Sequence, residues 1–145
     1  MTDTDPAAIP TFDLAEFVHR VLAEDLGSGG DVTSRSTIDA DARFTATMNC
    51  REPIVAAGLD IAMAFFRALD PDVVIDVGVT DGDRVTSGTI LVTLHGKARA
   101  MLSAERSALN TLQHLSGIAT LTRTYVDAIA GTGAILLDTR KTIPG

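Results

Sequence analysis

Near the end of the chain, Ala134-Ile135-Leu136-Leu137 is an unbroken apolar run, and the polar residues Asp138, Thr139, Arg140 and Lys141 follow at once. Four apolar residues without alternation are the pattern of a strand covered on both faces, as in a parallel sheet. Such a strand needs neighbours on both sides. The chain ends eight residues after Leu137, whereas a parallel partner is reached only through a crossover of about a dozen residues or more. The expectation is a first strand of a second domain that these 145 residues do not complete. Asp138 to Lys141 then sit at the carboxyl end of that strand, where open α/β sheets and β/α barrels hold their ligands.

The preceding residues read as a mixed helix-and-sheet domain. Residues 1–11 are polar and aperiodic, a flexible lead-in. Asp13 with Glu16 forms a capping-box pattern ahead of Leu14, Val18, Val21 and Leu22, and Gly27 supplies the stop. Gly27-Ser28-Gly29-Gly30-Asp31 reads as a turn, because it lacks both the Gly-Lys-Ser/Thr ending of a P-loop and the G-x-G-x-x-G spacing. Short strands are expected at 45–49 and 54–56. Ile61, Ala64, Phe65, Ala68 and Leu69 make a helical stripe that Pro71 ends. Val73, Ile75, Val77 and Val79 alternate as in a half-buried strand, and turns at 81–83 and 87–88 lead to a strand over 89–94. After Gly96 comes a long helical region, with Leu102, Leu109 and Leu112 on one stripe, Ile118, Leu121, Tyr125 and Ile129 on another, and Gly117 as the bend between them.

Composition narrows the function classes. Apolar residues make up 46% of the chain but aromatics only 4%, with no tryptophan, so the core must be built from aliphatic side chains. Cys50 is the single cysteine and cannot close an intrachain disulfide; with no charged-then-apolar leader, the reading is a cytoplasmic protein. No apolar run approaches the roughly 20 residues that span a bilayer, so no membrane role is expected. A net charge of -7 argues against nucleic acid, yet residues 95–145 hold six basic residues against three acidic ones. That local excess suits a small anion.

Arg140 and Lys141 are the sharpest chemical signal: an arginine can grip a carboxylate or phosphate bidentately, and a lysine adds a point charge. Thr139 and Thr142 flank them with hydroxyls, and Pro144-Gly145 would hold the turn. Arg106 stands near the expected start of a helix, where the dipole disfavours a cation; the bland account is an exposed arginine balanced by Glu105 or by Glu and Asp elsewhere. Asp25 and Asp31 lack a regular metal-ligand spacing. Cys50 reads as a buried apolar residue, and His19, His95 and His114 are too scattered for zinc. Residues 81–94 resemble the hairpin of biotinyl and lipoyl carrier domains, but neither Lys97 nor Lys141 is placed in that hairpin to carry a prosthetic group.

In order along the chain, Glu24-Asp25-Leu26-Gly27 with Gly30-Asp31-Val32-Thr33, then Gly96-Lys97-Ala98-Arg99, Glu105-Arg106, Leu109-Asn110, Leu115 to Thr120, and Asp138-Thr139-Arg140-Lys141-Thr142 resemble the quinolinate phosphoribosyltransferases. The likeness runs from about residue 22 to the end. Ile143 departs from it, since the family more often has threonine before Pro-Gly.

The resemblance implies an α/β protein: an N-terminal α/β sandwich domain with its linking helix over 12–116, and the start of a truncated C-terminal α/β barrel over 117–145. It implies transfer of a phosphoribosyl group from phosphoribosyl pyrophosphate, held with magnesium, to quinolinate, with decarboxylation, in NAD synthesis. It further implies a homodimer, or a higher oligomer, with shared sites. In these Arg106 reaches the substrate from the adjacent subunit, while Thr139, Arg140 and Lys141 line the site from the barrel. The catalytic acids, a His-Arg pair and the magnesium ligands would lie in the missing half, leaving this chain alone inactive. The nearest alternatives are nicotinate phosphoribosyltransferase, the pyrophosphorylase-like protein of molybdate loci, and a non-catalytic dimerisation fragment.

Overall fold

The computed structural model describes residues 12–139 and Lys141; the expected lead-in, Arg140 and residues 142–145 lie outside them. Helix α1 (Leu14–Leu26) starts where the Asp13 carboxylate accepts from the Glu16 N–H, 3.0 Å away, and stops at Gly27, whose φ of 55° suits glycine. A short helix α2 (Val32–Thr37) follows, capped by Asp31. It follows the turn expected at 27–31, over residues to which the sequence reading assigned no element, although an aspartate with a serine three residues on was the available signal.

Strand β1 (Arg43–Asn49) alternates half-buried Phe44, Ala46 and Met48 with exposed neighbours. It pairs with β5 (Ile90–Lys97), and β5 pairs with β3 (Val74–Val77), giving an antiparallel sheet of order β1-β5-β3. Between β3 and β5 the chain makes an excursion carrying β4 (Arg84–Val85), which pairs with β2 (Ile54–Val55) in a separate two-stranded sheet. Helix α3 (Leu59–Leu69) buries Leu59, Ala62, Met63, Phe65 and Phe66. These join Val18 and Leu22 of α1, Leu91, Val92 and Leu94 of β5, and Met101, Ala104, Ala108 and Leu112 of α4 in one core. Each large side chain sealed there contributes about 1.5–3 kcal/mol.

Helix α4 (Ala98–Ala128) is continuous. The bend expected at Gly117 does not occur: Ser116 and Thr120, on either side of it, take backbone N–H groups of Ala57 and Val55 at 3.1 and 2.9 Å. Those bonds hold the helix across a glycine that costs about 1 kcal/mol of helix propensity. The buried stripe of its first half is also displaced by one residue from expectation. Met101, Ala104, Ala108 and Leu112 face the core, while Leu102 is exposed, because the two alanines let α4 approach α3 closely.

Ala134 to Leu137 form no strand, and Ile135 and Leu137 are 80% and 78% exposed. A parallel strand exists only through its neighbours' hydrogen bonds, and among the described residues no strand pairs with these four. Among the described residues no helix is long and apolar enough to cross a membrane.

Candidate functional site

The junction of β5 and α4 is built around a buried carboxylate. Asp70, 1% exposed, accepts from the Lys97 N–H at 2.8 Å and lies 3.8 Å from Lys97 Nζ. The Lys97 backbone bond, helped by that from Asp72 and by the charges of Lys97 and Arg43, holds its carboxyl below the ordinary range. Gly96 belongs here for lack of room: a Cβ would come within 2.9 Å of Asp70 Oδ2 and of Val73 Cγ2.

The first turns of α4 then clamp α2. Arg99 Nε donates to the Ile38 carbonyl at 2.8 Å and its Nη2 to that of Arg35 at 3.1 Å. The single hydroxyl proton of Ser103 sits between Asp31 Oδ2 at 3.0 Å and the Arg99 carbonyl at 2.8 Å. Asp31 also accepts from the Ser34 hydroxyl at 2.5 Å and the Ser34 N–H at 2.9 Å, and these two bonds chiefly lower its carboxyl pKa. One turn further on, Arg106 projects with 76% of its side chain exposed, its Nε 3.6 Å from Asp25 Oδ1 in the last turn of α1. It is in the third turn of α4 rather than at its start, so the helix dipole, which fades after one turn, does not act on it. Its counter-ion is Asp25, not the adjacent Glu105.

The second cationic group lies beyond the other end of α4. From Arg106 to Ala128 the helix extends about 33 Å. Its last turns are tied to the small sheet: Arg84 Nη2 donates to both oxygens of Asp127 at 2.7 and 2.5 Å, and Arg123 Nε donates to one at 2.9 Å. The Arg84 hydrogen bond first, then the Arg123 and Arg84 charges, depress the Asp127 carboxyl. Past Gly131 and Gly133, both with positive φ, Thr139 and Lys141 are exposed; the Lys141 N–H donates to Thr139 Oγ1 at 3.1 Å. Among the described residues no hydrogen bond or ion pair joins Arg106 to Thr139 or Lys141.

A cavity of about 640 Å³ between β1 and α4 is a poorer candidate. Phe44, Met48, Leu94, Leu102 and Leu109 line it, and its charged rim sets Arg51 against Glu52 and Glu105, which would repel a dianion. Cys50 is buried and donates its thiol hydrogen to the Thr86 carbonyl, 2.9 Å away, as a structural residue does. No group of three or more His, Cys, Asp or Glu among the described residues could hold a metal ion.

Fold and site together define an α/β domain that clamps one long helix and carries exposed cations at well-separated places along it. Residues 31–116 match the family described as "Quinolinate phosphoribosyl transferase, N-terminal domain". Over 140 residues the chain is 44% identical to the nicotinate-nucleotide pyrophosphorylase [carboxylating] of Mycobacterium leprae, covering 92% of this chain and 48% of that protein. It is 40% identical to quinolinate phosphoribosyltransferase [decarboxylating] 1b of Nicotiana tabacum, covering 97% and 39% respectively. The crystal structure of NadC from Streptococcus pyogenes superposes with a TM-score of 0.87 at 34% identity, covering 94% of this chain and 48% of that one. The chain belongs to the quinolinate phosphoribosyltransferase family, and it spans less than half the length of these relatives.

Proposed function

We propose that this chain supplies the N-terminal half of a cytoplasmic quinolinate phosphoribosyltransferase. Residues 12–116 form the sandwich domain with its linking helix, and residues 117–145 begin the barrel. The pyridine nitrogen of quinolinate attacks the anomeric carbon of phosphoribosyl pyrophosphate, the bond to pyrophosphate breaks, the carboxylate beside the nitrogen leaves as carbon dioxide, and the ring carbon it leaves takes up a proton, giving nicotinate mononucleotide. Magnesium accompanies phosphoribosyl pyrophosphate, on ligands outside this chain. Two carboxylates on one ring need cations that offset their desolvation and fix the ring's orientation. Arg106 of one subunit supplies one cation to a site whose Thr139, Arg140 and Lys141 come from the other, within a homodimer. Without the rest of the barrel the chain does not turn substrate over.

The observation that carries this reading is the guanidinium of Arg106, projected into solvent on a helix fixed at both ends. A hybrid tests it, in which this chain replaces the aligned region of the Mycobacterium leprae relative. Formation of nicotinate mononucleotide from quinolinate and phosphoribosyl pyrophosphate is expected, with no turnover by the 145-residue chain alone. A folded, dimeric hybrid that is inert beside an active parent would overturn the assignment.

A further inference from the structure

We infer that Asp25 is the positioning residue for Arg106: its carboxylate holds the Nε side of the guanidinium and so turns the Nη1–Nη2 edge outward to a planar dicarboxylate. The inference rests on the functional reading above and assigns a role to a residue which that reading leaves out.

Three features of the pair lead to it. Asp25 lies in the last turn of α1, which holds no basic residue, and a carboxylate there opposes the helix's own C-terminal partial charge. It does not serve α1. The two partners differ in exposure: the Asp25 side chain is 22% exposed and that of Arg106 76%, so the acid is sheltered while the base projects. The contact is made at Nε, and among the described residues no hydrogen bond occupies the rest of the fork. That free edge is the one that meets a carboxylate through two parallel N–H bonds.

The surroundings make Asp25 a fixed anchor. Gly27 closes α1 two residues on, its N–H bonded to the Ala23 carbonyl at 3.0 Å. The Ser103–Asp31 and Arg99–Ile38 bonds set the distance between this part of the chain and α4. Glu105, the other acid at hand, lines the cavity on a different side of the helix. An ion pair this exposed adds little to stability, so its effect is on where the guanidinium points.

The sign of one substitution decides the matter. If Asp25 were only a nearby negative charge, Asp25→Asn would strengthen anion binding by removing repulsion; if it positions Arg106, the same change weakens binding. The experiment titrates quinolinate into the hybrid described above, follows the arginine side-chain NMR signals, and repeats the titration with D25N. Arg106 signals are expected to shift in the wild type. In D25N the affinity should fall about two- to fivefold and the Arg106 guanidinium should become more mobile by NMR relaxation, with the thermal midpoint unchanged. Equal or tighter binding by D25N, or unaltered guanidinium mobility, overturns the positioning role alone. A folded, dimeric hybrid whose Arg106 signals ignore quinolinate overturns the functional assignment and this inference with it.

Discussion

Ser103 Oγ lies 3.0 Å from Asp31 Oδ2, and that bond, with those from Ser34, joins α2 to the second turn of α4. Two segments 72 residues apart are thereby held in register beside Arg106. Asp31→Ala removes both the α2 cap and this tie. It should cost about 1–2 kcal/mol, read as a lower urea midpoint with unchanged slope. A midpoint equal to wild type would show that the clamp is not made in solution.

Gly58 caps α3 with φ of 90°, its N–H and that of Leu59 accepted by the Asp81 carboxylate at 2.9 and 3.1 Å. A Cβ there would stand 2.4 Å from Leu115 Cδ1 and 3.2 Å from Leu115 Cβ. Gly58→Ala therefore meets both a left-handed backbone and a clash, and should destabilise by about 3 kcal/mol. In a Leu115→Ala background the 2.4 Å clash is gone, and the backbone penalty with the 3.2 Å approach to the remaining Cβ costs about 1–2 kcal/mol. Chemical denaturation of the four variants gives the coupling; strictly additive effects would contradict this packing.

Asp31, Asp70 and Asp127 all have depressed carboxyl pKa values, from the Ser34, Lys97 and Arg84 hydrogen bonds respectively. A depressed folded-state pKa contributes stability that is present above the unfolded value, about 3.9, and lost as the pH falls through the folded value. Stability should be flat between about pH 5 and 7 and decline below about pH 4. Asp70→Asn leaves the Lys97 N–H poorly matched and should cost about 1–3 kcal/mol at neutral pH. It should also make the acid decline shallower. Parallel acid profiles for the two proteins would remove Asp70 from the account.

Much of the framework was legible because it rests on local chemistry. The Asp13 cap, the Gly27 stop, the strand expected over 45–49 and the helix ended before Pro71 each follow from a few neighbouring residues. What was not legible depends on partners distant in the chain. Gly117 reads as a bend until Val55 and Ala57 are seen holding Thr120 and Ser116. Leu102 reads as core until the alanines at 104 and 108 are seen to set the face. Ala134 to Leu137 reads as a buried strand, which it cannot form without neighbours to bond. Of the candidate site, the cations were singled out by their chemistry and the family resemblance. Asp25 was weighed only as a metal ligand, although an acid closing a helix against its dipole was a sign that it served something else.

The claim that Arg106 and the Thr139–Lys141 segment act from different subunits is tested most directly by mixing two inactive hybrids, R106A and K141A. Arg106 is exposed and held by one weak ion pair, so R106A should fold with wild-type stability and lose turnover. Lys141 is exposed as well. In a mixed dimer, one site collects both defects and the other receives intact Arg106 from one chain and intact Lys141 from its partner. Activity should therefore reappear on unfolding and refolding the two together. If mixed dimers form and stay inactive, each site draws both residues from a single chain, and the shared-site account is wrong.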